Sequence, residues 1–270
     1  MREGIGGIKH PAFRDALALT RAGGRKEMGR YLVEDADMVR QALASPAEIH
    51  AVFATPEAAK DLEAPCAARN VPLYVLGGSG LITKLVGTGY ETAVTAVAVV
   101  AQRTVPPAEL LRPGALILCG ERIQDPRNVG VLIRTAEAAG CAGLLLSDDS
   151  AEPFSRQAVR STTGSLLRLP LSLTPDLPAT LAELSAKGAH IVASSGQAKK
   201  LVYDADLSLH PLILVVGNEQ SGVTDKMVAA SQELVRLPMA PNGADSLNVT
   251  VAAGALVYEA VRQQLAQKPA

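Results

Sequence analysis

The sequence predicts an α/β protein built in two parts. Apolar, β-branched runs alternate with amphipathic segments, the pattern of strands and helices packed in layers. Of the 270 residues, 48% are hydrophobic but only 3% are aromatic, and Trp is absent, so the core must be made of Ala, Val, Leu and Ile. The stretch QRTVPPAELLRPG at 102–114 carries Pro106, Pro107 and Pro113. Proline removes backbone donors and fixes φ, which suits a linker better than a packed element. The expected division is a first domain over 1–105, a linker over 106–113 and a second domain over 114–270.

In the first part, 31–34 is a short strand leading into a helix over 36–44, closed before Pro46. Residues 49–54 and 72–76 are two further strands, with a helix over 56–69 between them, and 92–100 is β-branched and apolar like a buried strand. The second part alternates more regularly. Strands are expected at 115–119, 143–147, 190–193, 212–216 and 234–238. Helices are expected at 129–139, where Gly140 suits a left-handed cap, and at 181–187 before Gly188. A helix over 225–233 has Thr224 as N-cap, and a long one over 248–264 has Asp245 or Ser246 near its start. This alternation implies a parallel sheet covered on both faces, with ligands held in loops beyond the carboxyl ends of its strands.

The formal net charge is −1, which argues against a protein that coats nucleic acid through many phosphate contacts, though not against a local basic patch. Cys66, Cys119 and Cys141 are far apart without CxxC spacing, so neither a metal site nor a disulfide framework is expected, and the compartment reads as a reducing cytoplasm. Residues 1–14 lack a long apolar segment, and the apolar run at 93–101 is too short to span a bilayer. No membrane association is expected.

Three polar, glycine-containing loops each follow an expected strand. They are ERIQDPRNVG at 121–130, continuing into VLIRT; GNEQSG at 217–222; and LPMAPNGADSLN at 237–248. Taken singly, each has an ordinary explanation. A glycine turn after a strand is a common connector, Arg134 suits a solvated helix face, Asn128 and Ser246 suit helix caps, and Met239 suits core filling.

Taken together and in order, these three segments closely resemble the signature motifs of the SpoU/TrmH family of RNA 2′-O-ribose methyltransferases, in the SPOUT superfamily. The resemblance covers 116–259. It implies an S-adenosylmethionine-dependent enzyme whose α/β methyltransferase domain ends in a trefoil knot, a rare exception to ordinary chain connections. It also implies a homodimer with cofactor sites near the subunit interface. The helix over 248–264 is an interface candidate through Val249, Ala252, Ala253, Leu256, Val257 and Val261, a face that equally suits packing on its own sheet.

Carried over residue by residue, the resemblance makes Arg134 the first catalytic candidate. Asn128 would orient that arginine or the ribose, Glu219 would fix the second loop or pair with an arginine, and Ser246 and Asn248 would order the third loop. Gly217, Leu237, Met239 and Leu247 would contact the adenosyl part, with Ser194, Ser195 and Gly196 completing the rim. Arg160 is a candidate RNA-phosphate contact. A guanidinium, which stays protonated at any ordinary pH, is better suited to stabilising a developing alkoxide than to acting as a base.

Residues 13–100 resemble, more loosely, the small L30e-like α/β domain that many family members use to bind RNA. RYLVE at 30–34 matches its usual opening strand, while Asp35 stands where many relatives have glycine, and GTGYET at 87–92 departs from a proline–glycine pattern. Arg21, Arg25, Lys26 and Arg30 cluster just before that strand, as a phosphate-contacting face would, a cluster that equally suits a solvated segment. The layout favours ribosomal RNA, 23S RNA in particular, with transfer RNA as the alternative. A non-catalytic RNA-binding or ribosome-assembly factor on this fold would not need Asn128, Arg134, Glu219, Ser246 and Asn248 together. An NAD-type oxidoreductase is disfavoured because no G-x-G-x-x-G joins a strand to a helix.

Overall fold

A computed structural model describes residues 2–87 and 93–267. In chain order its first elements are β1 (Arg2–Ile5), α1 (Pro11–Ala18), α2 (Ala22–Met28), β2 (Arg30–Glu34), α3 (Ala36–Ala44), β3 (Ile49–Ala54), α4 (Ala58–Ala68), β4 (Leu73–Leu76), α5 (Ser79–Val86) and β5 (Ala96–Ala101). There follow α6 (Pro107–Leu110), β6 (Leu116–Gly120), α7 (Pro126–Ala138), β7 (Gly143–Ser147), α8 (Arg156–Thr162), β8 (Leu171–Thr174) and α9 (Leu177–Ala186). The last are β9 (His190–Ser194), β10 (Lys200–Leu201), β11 (Leu212–Val216), α10 (Asp225–Ala230), β12 (Glu233–Arg236) and α11 (Val249–Gln267).

The chain forms two compact units. One comprises Met1–Gln102 together with Phe154–Arg168. Its five-stranded sheet has the order β1-β4-β3-β5-β2, with β1 and β3 parallel to β4, and β5 antiparallel to both β2 and β3. Asp35 has φ 87° and ψ 139°, a conformation that glycine accepts freely and an L side chain adopts under strain, and its carboxylate accepts from the Asp37 N–H to start α3. Segment 154–168 lies apart in sequence but packs here. The Arg156 Nε is 2.8 Å from a Glu34 carboxylate oxygen, and the Phe154 ring lies 5.3 Å from that of Tyr31. Residues 88–92, part of the GTGYET stretch and the start of the strand expected at 92–100, lie outside the described residues.

The other unit comprises Arg103–Pro153 and Leu169–Ala270. Its seven strands are all parallel, in the order β10-β12-β9-β11-β6-β7-β8. The central strands LILCG, GLLLS and LILVV are buried at every position, as strands covered on both faces must be. The proline-rich stretch differs from an open linker. Pro107 starts the short helix α6, and Leu110 is buried in the core with Leu145 and Leu177.

Two further departures have local causes. The helix expected over 225–233 stops at Ala230 because the next residues join the sheet. Gln232 donates its N–H to the Ile191 carbonyl, and its side chain accepts from the Ile191 N–H. The strand expected over 234–238 ends at Arg236, ahead of Pro238, which has no N–H to give a ladder. Among the described residues, no helix is long and apolar enough to cross a membrane.

Leu118, fully buried in β6 between Leu214 and Leu144, anchors the sheet that carries the loops. Leu118→Ala is expected to cost about 2–5 kcal/mol of unfolding free energy, read from the midpoint of a denaturant titration.

Candidate active site

Strand register decides where the three glycine-containing loops go. Gly120 of β6 is level with Val216 of β11, Val215 with Ala193 of β9, and Val235 of β12 with Ser194. These four neighbouring strands are parallel and end together, so the segments that follow them leave one edge of the sheet. That edge is the carboxyl side, where open α/β sheets hold ligands.

The first and second loops are tied to one another. Glu219, in the second, accepts hydrogen bonds from the backbone N–H groups of Gln124 and Asp125 and from Nδ2 of Asn128, at 2.9 to 3.2 Å. Burial by itself would raise the Glu219 pKa, but these donors outweigh it and hold the carboxyl below its ordinary value. In return Asn218 Nδ2 donates to the Arg122 carbonyl at 2.8 Å. Arg122 has φ 54°, and its N–H is held by Ser147 Oγ at 2.8 Å.

The second loop is also closed on itself. Asn218 and Gly222 exchange both backbone hydrogen bonds at 3.0 Å, and Asn218 Oδ1 accepts from the N–H groups of Gln220 and Ser221. Gly217 has no room for a side chain, because a Cβ would lie 2.3 Å from the Gly222 carbonyl carbon and the Val223 nitrogen.

Asn128 is therefore not a helix cap. The N-cap of α7 is Asp125, whose carboxylate accepts from the Arg127 N–H, and Asn128 is free to bridge two loops. Its Oδ1 accepts from Asn248 Nδ2 at 3.3 Å, while Asn248 Oδ1 accepts from the Thr250 N–H at 2.8 Å at the start of α11. Neither Asp245 nor Ser246 makes that cap. Glu219, Asn128 and Asn248 thus form one chain of hydrogen bonds through all three loops. Glu219 is paired with amides rather than with an arginine.

A cleft of about 500 Å³ opens beside this chain of bonds, within the size range of small-molecule sites. Ser194 at the end of β9 lines it with Ser195 and Gly196 just beyond, Gly217 and Glu219 from the second loop, and Leu237, Met239, Ser246 and Leu247 from the third. Met239 and Leu247 are exposed, so they serve as walls and not as core filling.

Other expected residues stand elsewhere. Arg134 lies on the exposed side of α7, two turns beyond Asn128, does not line the cleft and has no hydrogen-bond or ion-pair partner among the described residues. Arg160 is exposed on α8 in the unit formed by 1–102 and 154–168, within the electrostatic reach of Glu34. Arg25 departs from the expected phosphate-contacting face. It is 7% exposed and donates to the Leu19 carbonyl at 3.0 Å, so it packs the unit instead of offering its charge to a phosphate. Lys26 is exposed and Arg30 half-buried. The α11 face expected at an interface is also turned inward, with Val249, Ala253, Leu256 and Val257 buried in the chain's own core.

Sequence reasoning did not single out Glu121, Asn218, Ser147 or Ser150. Each acts through a partner distant in sequence, and only a carboxylate placed directly after the apolar strand LILCG hinted at one of them.

A family model described as the SpoU rRNA Methylase family matches residues 115–258. The chain belongs to this family. Two relatives match over nearly the whole chain. An uncharacterized tRNA/rRNA methyltransferase of Synechocystis is 32% identical over 97% of this chain and 94% of its own length. The 23S rRNA (guanosine(2553)-2′-O)-methyltransferase RlmP of Bacillus subtilis is 29% identical over 94% of this chain and 97% of its own. The crystal structure of an AdoMet-bound rRNA methyltransferase from Sinorhizobium meliloti superimposes with a TM-score of 0.87 at 27% identity, covering 97% of this chain and 98% of that one.

The depressed Glu219 carboxyl gives this SpoU site a pH dependence of definite sign. Its stabilising bonds are fully present above the ordinary glutamate value near 4.3 and are lost as pH falls through the lower, folded value. Glu219→Gln is expected to destabilise the protein at neutral pH, and acid titrations of both proteins followed by circular dichroism should show that difference closing as the wild-type carboxyl protonates.

Proposed function

We propose that this chain is an S-adenosylmethionine-dependent methyltransferase that modifies a ribose 2′-oxygen in ribosomal RNA, 23S RNA in particular, and acts in the cytoplasm as a homodimer. The observation that carries this reading is the meeting of three separated loops around one cleft, joined through Glu219, Asn128 and Asn248. The names of the relatives, rRNA and 2′-O methylation among them, support the same reaction.

The cleft fits the methyl donor chemically. Gly217 and its neighbours bring main chain to the surface, where adenine can be recognised by backbone groups, and Leu237, Met239 and Leu247 offer apolar walls to the ring. Ser194, Ser195 and Gly196 would complete the rim, and Glu219, which also lines the cleft, would offer carboxylate oxygen to a cationic ligand. When bound, S-adenosylmethionine supplies a methyl group already activated by its cationic sulfur. The protein's task is then to align the ribose oxygen and raise its nucleophilicity, and alignment alone is worth up to about 7–11 kcal/mol. Asn128, held from both sides, would orient the ribose, and Asn248 and Ser246 would order the loop beside it. Arg134 would clamp a phosphate and stabilise the developing alkoxide.

The homodimer reading accounts for the position of Arg134. On α11, Val251, Tyr258 and Leu265 are 56%, 52% and 61% exposed. Their seven-residue spacing sets them in a stripe opposite the buried face. Helix α11 packs against α7, which bears Arg134, so a second copy seated on this stripe would bring Arg134 close to the subunit boundary. From the family resemblance we assign a trefoil knot to this domain, in the segment that returns from β12 to α11. The first unit we assign to RNA binding in the L30e-like manner, through Lys26, Arg30 and Arg160.

The deciding experiment is transfer of tritiated methyl from S-adenosylmethionine to ribosomal and transfer RNA in parallel, with 2′-O-methyl positions then mapped. Label in neither RNA would leave a non-catalytic binder. Arg134→Ala is expected to abolish transfer while cofactor affinity by calorimetry stays within about twofold. Asn128→Ala should lower kcat by about tenfold or more and affect cofactor affinity less. Unchanged turnover in either variant would remove that residue from the mechanism.

A further inference from the structure

Glu121 follows β6 directly and is 4% exposed. It does not line the cleft. Its backbone N–H donates to the Val216 carbonyl at 2.9 Å, at the point where the second loop begins. Its side chain accepts from the Thr224 N–H at 2.9 Å and from the Thr224 hydroxyl at 2.6 Å, where the same loop ends. One residue from the first loop therefore holds both ends of the second.

Burying a carboxylate is costly unless its donors are well placed, so a role only in packing would be met better by an apolar side chain. What the charge provides is a fixed span. Between Val216 and Thr224 the loop has no free end, and it is already closed internally through Asn218 and Gly222. Its residues from Val216 to Val223 all line the cleft. A shift at Thr224 must be passed to that lining, because Gly217 sits directly against the Gly222–Val223 peptide.

We propose that Glu121 and Thr224 form a latch that positions the second loop for the methyl donor, making Glu121 a positioning residue of the reaction that touches neither substrate. This rests on the proposed function. Binding and turnover are measured on the full chain with S-adenosylmethionine and ribosomal RNA. Glu121→Gln and Thr224→Val should each raise the KM for S-adenosylmethionine about tenfold, the scale of one charge-assisted hydrogen bond. In both, kcat at saturating cofactor and the KM for RNA should stay within about twofold. Thr224→Ser, which keeps both donors, should restore the wild-type KM, and the double variant should add little to either single one. The Thr224 hydroxyl also caps α10 by accepting from the Met227 N–H at 3.3 Å, so if Glu121→Gln fails to fold, Glu121→Asp takes its place beside Thr224→Val and Thr224→Ser. A lowered denaturation midpoint with the cofactor KM unchanged would reduce the pair to a structural cap and overturn the latch. A wild-type chain that does not bind S-adenosylmethionine would overturn the proposed function, and this inference with it.

Discussion

Two carboxylates cross between neighbouring loops, and the site depends on that exchange. Glu121 leaves the first loop to close the ends of the second, and Glu219 leaves the second to gather the amides of the first. Each is acceptor-only, so each needs several donors, and the backbone N–H groups just ahead of α7 and α10 are the donors at hand. Such loops could not meet in this way on strands of mismatched length. The level ends of β6, β11 and β9 are what bring the partners within reach.

How far this could be read from the sequence depended on how many physical demands fell on one stretch. LILCG, GLLLS and LILVV were legible because burial on both faces leaves no polar position to confuse the pattern. Helix α2 was not, since AGGRKEM has two glycines and little periodicity, and β10, at two residues, is below any pattern's length. Helix α8 passed unseen for another reason. Ser155 caps its start, but seven residues are too few for a clear period, and its partner strand β2 lies more than a hundred residues earlier. For the site, motif order placed the loops, while the bonds that join them were invisible. Thr224 lies 103 residues from Glu121, and Asn248 lies 120 from Asn128.

The long C-terminal helix shows the limit of periodicity most clearly. Its sequence promises an apolar face without saying which neighbour will cover it. The broad face of Val249, Ala253, Leu256 and Val257 goes to the chain's own core, and the narrower stripe of Val251, Tyr258 and Leu265 is left outside. A helix apolar on two sides has more than one surface to satisfy. Arg134, solvated on the adjoining helix, belongs to the same account. A single chain supplies the cleft and its hydrogen-bonded frame, but leaves this guanidinium away from both.

The strand order also constrains how the molecule can come into being. During synthesis β6, β7 and β8 emerge in the order in which they pair, so that half of the sheet can form as it appears. Strand β9 has no such neighbour, because both strands that flank it, β11 and β12, are made later. The hydrophobic ribbon His190–Ser194 must wait with open edges until Leu212–Val216 arrives to be inserted beside β6. Until then it is a place where a nascent chain can pair wrongly, and long-range parallel pairing of this kind is intrinsically slow. The arrangement that aligns three loops on one edge thus leaves the growing polypeptide dependent on its last strands.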